Sequence, residues 1–182
     1  MIPVGYLAKR IELKPDWLKT DQVEDIYSLS NCVSKDFADY IEHWKHNGYW
    51  LFNSNDDNLS LAKDLDIDMS GTKIFYYEAY EYQCYEDEAE WEEFQPDESL
   101  ETNVIIPEKK VLEGFDVVSI YNENSLGCSY LSCNHMAQEL KVNKHCLFST
   151  FEEAKTHLDN NVFNGCEPGP CRIFAVYSVR DA

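Results

Sequence analysis

Residues 172–179, Arg-Ile-Phe-Ala-Val-Tyr-Ser-Val, constrain the fold more than any other segment of the chain. Side chains of a β-strand alternate between the two faces of its sheet, and here apolar residues fall on both faces. A strand that is apolar on both faces is usually covered on both. The segment therefore predicts a strand well inside a sheet, and the rest of the chain has to supply its neighbours.

Further strands are expected at residues 4–11, 49–52, 73–85, 115–121 and 146–148, where short apolar or aromatic runs occur. Helices are expected behind a cap at Asp21, from Ser34 to Trp44, around residues 59–65, after Ser132, and behind a capping box of Thr150 and Glu153. The pattern predicts one α+β domain over residues 1–182. Its sheet is antiparallel or mixed, has about five to six strands, and carries helices mainly on one face.

One internal similarity stands out. Trp50-Leu51-Phe52-Asn53-Ser54 and Cys146-Leu147-Phe148-Ser149-Thr150 each place an apolar strand-like run before a capped acidic helix. Two such units are consistent with related halves, although the matching stretch is short.

Residues 78–101, here called the acidic–aromatic segment, hold eleven carboxylates and no Lys or Arg. Tyr and Trp are enriched at protein interfaces, and carboxylates around them attract Lys and Arg of a partner. The segment is expected to form a loop or an edge element, with a loop or frayed helix after Glu86. The candidate partner-binding residues are Tyr80, Tyr82, Tyr85, Glu86, Asp87, Glu90, Trp91 and Glu93. The structural alternative is an inward-packed tyrosine strand followed by a solvated acidic loop.

The net charge of −19 narrows the class of partner. Nucleic acids and anionic lipids are bound by basic patches, so neither is expected as a partner. A cationic protein would be attracted, although acidity that serves solubility alone is the simpler alternative. No secretory signal or membrane span is apparent, which favours a cytoplasmic location.

Cysteine and histidine chemistry has weak support in the sequence. Cys128, Cys133, Cys166 and Cys171 are spaced at the loose edge of the zinc-site range, with His135 and His145 nearby, and the sequence does not decide whether they bind zinc. His43 and His46 share a predicted helix face with Asp39, and Cys32 or Cys146 are the available nucleophiles. No catalytic, nucleotide or calcium signature is present, and neither a cofactor nor a metal is expected.

An acidic, aromatic-rich α+β chain of this size is similar in character to bacterial immunity proteins and to inhibitors that mimic nucleic acid. The likeness is compositional and covers no motif. The hypothesis is a binding module that docks a basic partner protein through the acidic–aromatic segment, as an immunity or inhibitor protein would. The alternatives are a small enzyme with a Cys/His site in a cleft and a structural homodimer. The sequence does not set the oligomeric state.

Overall fold

The computed structural model describes residues 1–30, 46–85, 90–120 and 126–179. The helix predicted from Ser34 lies outside these ranges. In chain order the elements are β1 (Ile2–Arg10), β2 (Glu12–Leu13), β3 (Asp25–Ile26), α1 (Asn55–Asp64), β4 (Thr72–Ala79), β5 (Tyr82–Tyr85), β6 (Glu90–Glu93), β7 (Lys110–Ile120), β8 (Leu126–Ser129), a 3₁₀ turn (Met136–Gln138), α2 (Phe151–Asp159) and β9 (Pro170–Val179).

The domain is α+β, as predicted, and β9 lies at the centre of its seven-stranded antiparallel sheet. Strand β7 pairs along one side of β9, while β4 and then β5 pair along the other. Strand β1 adds to β4, β6 adds to β5, and β8 adds to β7. The buried residues of β9 include Cys171 through Val176, which confirms its predicted interior position.

The helix predicted behind Asp21 was wrong. Asp25 and Ile26 form a short strand paired with Glu12 and Leu13, in a second, two-stranded sheet. The backbone N–H groups of Glu24 and Tyr27 instead donate to the carbonyls of Lys144 and His145. Val23, Ile26 and Tyr27 are buried as their spacing suggested, but an extended segment buries them.

Leu51, Phe52 and residues 146–148 are buried, but the prediction that residues 49–52 and 146–148 form strands was wrong. Each run belongs to a tight loop that makes only one isolated bridge, Tyr6 with Phe52 and Phe115 with Phe148. Trp50 and Cys146 have φ of 58° and 61°, a left-handed conformation that turns the chain and interrupts any strand.

An asparagine organises each of the two loops, Asn47 in the first and Asn143 in the second. In the first, the Asn47 amide donates to the Val4 carbonyl at 3.0 Å, and its oxygen accepts from the N–H groups of Tyr49 and Leu51. This loop thus closes around one buried side chain that satisfies three backbone groups.

In the second loop the Asn143 amide donates to the Glu113 carbonyl at 2.7 Å, and its oxygen accepts from His145 and Leu147. Helices α1 and α2 then begin after Ser54 and Thr150. The Ser54 hydroxyl accepts a hydrogen bond from the backbone N–H of Asp57, and the Thr150 hydroxyl accepts one from that of Glu153. The capping box predicted at Thr150 and Glu153 is confirmed.

These correspondences extend to the sheet. Gly5 pairs with Tyr77 across β1 and β4, Gly114 pairs with Val176 across β7 and β9, and Tyr77 pairs with Val176. A local twofold axis perpendicular to the sheet therefore passes through the last pair and relates β1–α1–β4 to β7–α2–β9. Rotation about an axis perpendicular to the sheet does not exchange the two faces of the sheet. Helices α1 and α2, which this rotation relates, therefore lie on the same face. The similarity noted in the sequence is part of a structural repeat.

We expect Gly5→Ala and Gly114→Ala each to lower the free energy of unfolding by roughly 3 kcal/mol or more. A Cβ would stand 2.5 Å from the Phe52 carbonyl oxygen in the first variant and 2.6 Å from that of Phe148 in the second. Gly71→Ala is the control, because Gly71 also has positive φ but has nothing within 4 Å of the added Cβ. It should lose only about 1 kcal/mol in denaturant titrations. Equal losses in all three variants would contradict the steric argument.

Candidate functional site

The acidic–aromatic segment forms the end of β4 and a hairpin of β5 and β6, here called the edge hairpin. Glu90–Glu93 is a strand, so the loop or frayed helix expected there was wrong for these residues. Glu86 and Asp87 lie outside the described residues. Within the hairpin Tyr82 stands opposite Glu93 and Tyr85 stands opposite Glu90.

One face of the edge hairpin is anchored to α2. The Tyr80 ring packs against Trp91 and Phe151 with centroid separations of 5.4 and 5.0 Å. The Trp91 indole N–H donates to Asp159 at 2.8 Å, and the Lys155 ammonium lies 4.8 Å from the Trp91 ring centroid. Tyr80 and Trp91 therefore fix the hairpin in place, and each is only partly exposed.

Several other side chains of the hairpin reach solvent. Tyr82 and Tyr85 are each 40% exposed, and Glu90 and Glu93 are exposed. Because they are three residues apart on one strand, the two tyrosines lie on opposite faces. The structure thus spreads the candidate residues over both faces of a hairpin at the edge of the sheet.

Glu92 belongs to this surface, although the sequence analysis did not select it. It is exposed, and its carboxylate accepts from the Tyr85 hydroxyl at 2.7 Å and from Gln83. These hydrogen bonds, with that of Tyr85 first, hold the pKa of Glu92 below its usual range. The alternation of a strand was the available signal, because it places Glu92 on the same face as Glu90 and Tyr85.

A buried cation supports the base of the hairpin. Arg172 is 1% exposed, and its guanidinium donates twice to the Tyr80 carbonyl, at 3.2 and 2.7 Å. Its central carbon lies 3.8 Å from the centroid of the Phe94 ring, so the guanidinium stacks on the residue that follows β6. Burial lowers the pKa of Arg172 to about 9. The contacts tie β9 to both ends of the hairpin.

A second buried charge lies on the opposite side of β9. Asp116 on β7 is fully buried and accepts from the Ser28 hydroxyl, the Leu29 N–H and the Ser129 hydroxyl at 2.8, 3.0 and 2.6 Å. Burial raises the pKa of the Asp116 carboxyl, and these hydrogen bonds oppose the rise only in part. The carboxyl joins residues 28–29 to β7 and β8, which is a structural role.

The Cys/His alternative gains no support from the described side chains. Cys146 is fully buried, and burial raises the pKa of its thiol, so the nucleophilic thiolate is disfavoured. The neighbouring His145 makes other contacts. Its ring stacks on Tyr27 with centroids 3.8 Å apart, and its Nδ1 is hydrogen-bonded to the Asp25 carboxylate. His46 stacks on Trp50. Cys32, Asp39 and His43 lie outside the described residues.

The spacing of four cysteines left a zinc site open. Within the described ranges, no group of three or more His, Cys, Asp and Glu side chains is arranged to hold a metal ion, which includes Cys128, Cys133, Cys166 and Cys171. Cys171 is buried in β9, directly opposite the buried Cys84 of β5. None of the described helices is long and apolar enough to cross a membrane.

We expect Asp116→Ala to lower the free energy of unfolding by about 3–5 kcal/mol, because two hydroxyls and one N–H would lose their shared acceptor inside the protein. Denaturant titration measures the loss. The double variant Ser28→Ala/Ser129→Ala, which removes two donors and keeps the acceptor, should also be destabilised. A loss in Asp116→Ala below about 1 kcal/mol would contradict the assigned role.

The raised pKa of Asp116 also predicts a pH dependence. A carboxyl that binds its proton more tightly when folded contributes stability below its unfolded pKa, about 3.9, and loses that contribution as pH rises through the folded pKa. Asp116→Asn stays neutral throughout. The unfolding free energy of the native protein minus that of this variant should therefore fall with rising pH above about 4 and then level off. If this difference in unfolding free energy grew with pH, the raised pKa assigned to Asp116 would be wrong.

Comparison with protein-family models, with curated proteins and with solved structures finds no match to this chain. The geometry described above therefore has to carry the functional argument alone. The structure has two kinds of polar feature. One is the exposed edge hairpin, and the other is the pair of buried ionisable side chains, Arg172 and Asp116, that join strands of the sheet.

Proposed function

We propose that this protein is a binding module that docks a basic partner protein through the edge hairpin. The observation that carries the proposal is that two tyrosines are exposed among glutamates on this edge hairpin, while Trp91 and the neighbouring Tyr80 are anchored to α2. An immunity or inhibitor protein is the functional class that such docking fits. The partner is expected to present Lys or Arg side chains around an apolar patch.

Rigidity supports the proposal. A partner loses less binding energy to ordering when the surface it meets is already fixed. Here Tyr80, Trp91 and Arg172 hold the hairpin against α2 and β9. Tyr82 and Tyr85 are left at its surface, and tyrosine supplies large contact area with few rotatable bonds.

Charge supports it as well. Glu90, Glu92 and Glu93 are exposed on one short strand. Lys155 approaches the hairpin, but both oxygens of Asp159 accept hydrogen bonds from its ammonium, at 2.9 and 2.7 Å. The glutamates therefore keep a local negative field, within a chain whose net charge is −19. Such a field raises the rate at which a cationic protein associates.

The test compares two triple variants that change net charge equally. The first variant reverses the charge of the hairpin with Glu90→Lys, Glu92→Lys and Glu93→Lys. The second reverses the charge of three exposed carboxylates on other parts of the chain, with Glu12→Lys, Asp64→Lys and Glu139→Lys. Cross-linking in an extract of the source cells, followed by mass spectrometry, identifies a basic protein captured by the native chain. That protein, once purified, serves as the probe for association kinetics.

Hairpin reversal should lower the association rate constant by about 10-fold or more, with a steep loss of rate in added salt for the native chain. The control triple should change the rate much less. Tyr85→Ala should mainly raise the dissociation rate. Equal losses in both triples would assign the attraction to overall charge, and a captured protein that is indifferent to the hairpin would overturn the proposal. Self-association seen by light scattering and lost on hairpin reversal would favour a homodimer instead.

A further inference from the structure

Strand β6 is the last strand at one edge of the seven-stranded sheet. Among the strands of the described residues, only β5 pairs with it. An edge strand presents unpaired N–H and C=O groups on its outer side, and a strand from another molecule can bond to them. The edge hairpin therefore offers a backbone surface in addition to its exposed side chains.

A hydrogen bond next to the hairpin strands shows which backbone groups face outward. The Phe94 N–H donates to the Glu81 carbonyl at 2.9 Å, and the register of β5 with β6, extended by one residue, places these two residues opposite each other. In an antiparallel ladder, bonded pairs alternate with non-bonded pairs. The N–H and C=O groups of Trp91 and Glu93 therefore point away from β5. No other backbone group in the described part of the chain bonds to these four groups.

The side chains beside this edge favour a basic strand. Alternation along β6 places Trp91 on the face where it contacts α2, and Glu90 and Glu92 on the opposite face. A strand added to β6 would lie about 4.8 Å away, with facing Cβ atoms about 5 Å apart. Lys or Arg at alternate positions of that strand would stand beside Glu90 and Glu92, and opposite charges in such cross-strand pairs are stabilising.

A second copy of this chain fits the same edge poorly. Three of the four residues of β6 are glutamates. Pairing of two β6 strands would bring glutamates of both copies side by side, and like charges across strands are destabilising. Charge on an edge strand is one way in which proteins prevent pairing between copies. The complementary occupant of this edge is therefore a cationic extended segment.

We propose that the basic partner docks by adding a β-strand to the outer edge of β6, with Lys or Arg at alternate positions beside Glu90 and Glu92. This inference rests on the docking function proposed above and states how the partner binds. Backbone hydrogen bonds to Trp91 and Glu93 supply affinity, and the glutamates select for charge. Because Trp91 is anchored on α2, the edge is in place before the partner arrives.

The first test measures amide exchange in the full chain, labelled with a nitrogen isotope, at saturating concentrations of a short end-blocked peptide of alternating valine and lysine. Hydrogen exchange at the amides of Trp91 and Glu93 should slow by about tenfold or more, because both gain a hydrogen bond. The Glu92 amide, which already faces β5, is the internal control and should change much less. A peptide of alternating valine and glutamate should not bind.

Two isomeric peptides test the backbone pairing at constant composition and charge. Each is the valine–lysine peptide with two N-methyl groups, placed on alternate residues in one isomer and on adjacent residues in the other. Since successive N–H groups point to opposite edges of a strand, alternate methyl groups leave one edge free and adjacent ones obstruct both. The isomer with adjacent methyl groups should bind about tenfold or more weakly than the other.

Two variants of one residue test the same edge from the protein side. Glu93→Gln and Glu93→Pro remove the same charge, but only proline removes the outward N–H. Proline is compatible with an edge strand where the N–H faces solvent, so the bonds to β5 should remain. Glu93→Pro should bind the unmethylated peptide about tenfold or more weakly than Glu93→Gln does, because its ring also obstructs the incoming strand. The amide spectrum reports whether the hairpin is intact, and the methylated isomers need no variant.

The outcomes separate this inference from the docking function. Saturable binding without slowed exchange at Trp91 and Glu93, or equal affinity of the two methylated isomers, would show docking through side chains alone. The added strand would then be wrong and the docking function would stand. The absence of saturable binding by the basic peptide would also overturn the added strand, while the association kinetics of the captured partner would still decide the docking function. Self-association that is lost in Glu93→Pro would make a second copy the occupant and overturn both.

Discussion

The close approach of two strands to two loops determines the rest of this structure. Gly5 and Gly114 each lie against the carbonyl of a loop phenylalanine, at a distance that leaves no room for a Cβ. Asn47 and Asn143 then satisfy the backbone of the same loops from inside. Because each loop is held this tightly, the helix that follows begins at a fixed place beside the sheet. The edge hairpin depends on that placement, because the Tyr80 ring at its base packs on Phe151 of α2.

Some of this arrangement was predictable from local pattern. The interior position of β9 followed from apolar residues on both of its faces, and the start of α2 followed from Thr150 and Glu153, whose reciprocal hydrogen bonds need only four residues. Glu92 could have been selected by extending strand alternation through the acidic run. These features depend on neighbours in sequence, which is why one sequence suffices to find them.

Other features depend on contacts that periodicity does not encode. Val23, Ile26 and Tyr27 have helical spacing, but their segment pairs with the loop at residues 144–145. The runs at 49–52 and 146–148 are as apolar as strands, yet a left-handed residue in each turns the chain.

The two halves also bear on how the chain reaches its native state. The central partners β4 and β9 come from different halves, and Tyr77 lies 99 residues from the Val176 it faces. Closing so long a loop costs chain entropy before the pairing contributes stability. Folding speed falls as such distant pairings come to dominate a topology. During synthesis, β4 must therefore wait with one edge uncovered until the last strand emerges, and a chaperone or a transient local cover has its clearest role in that interval.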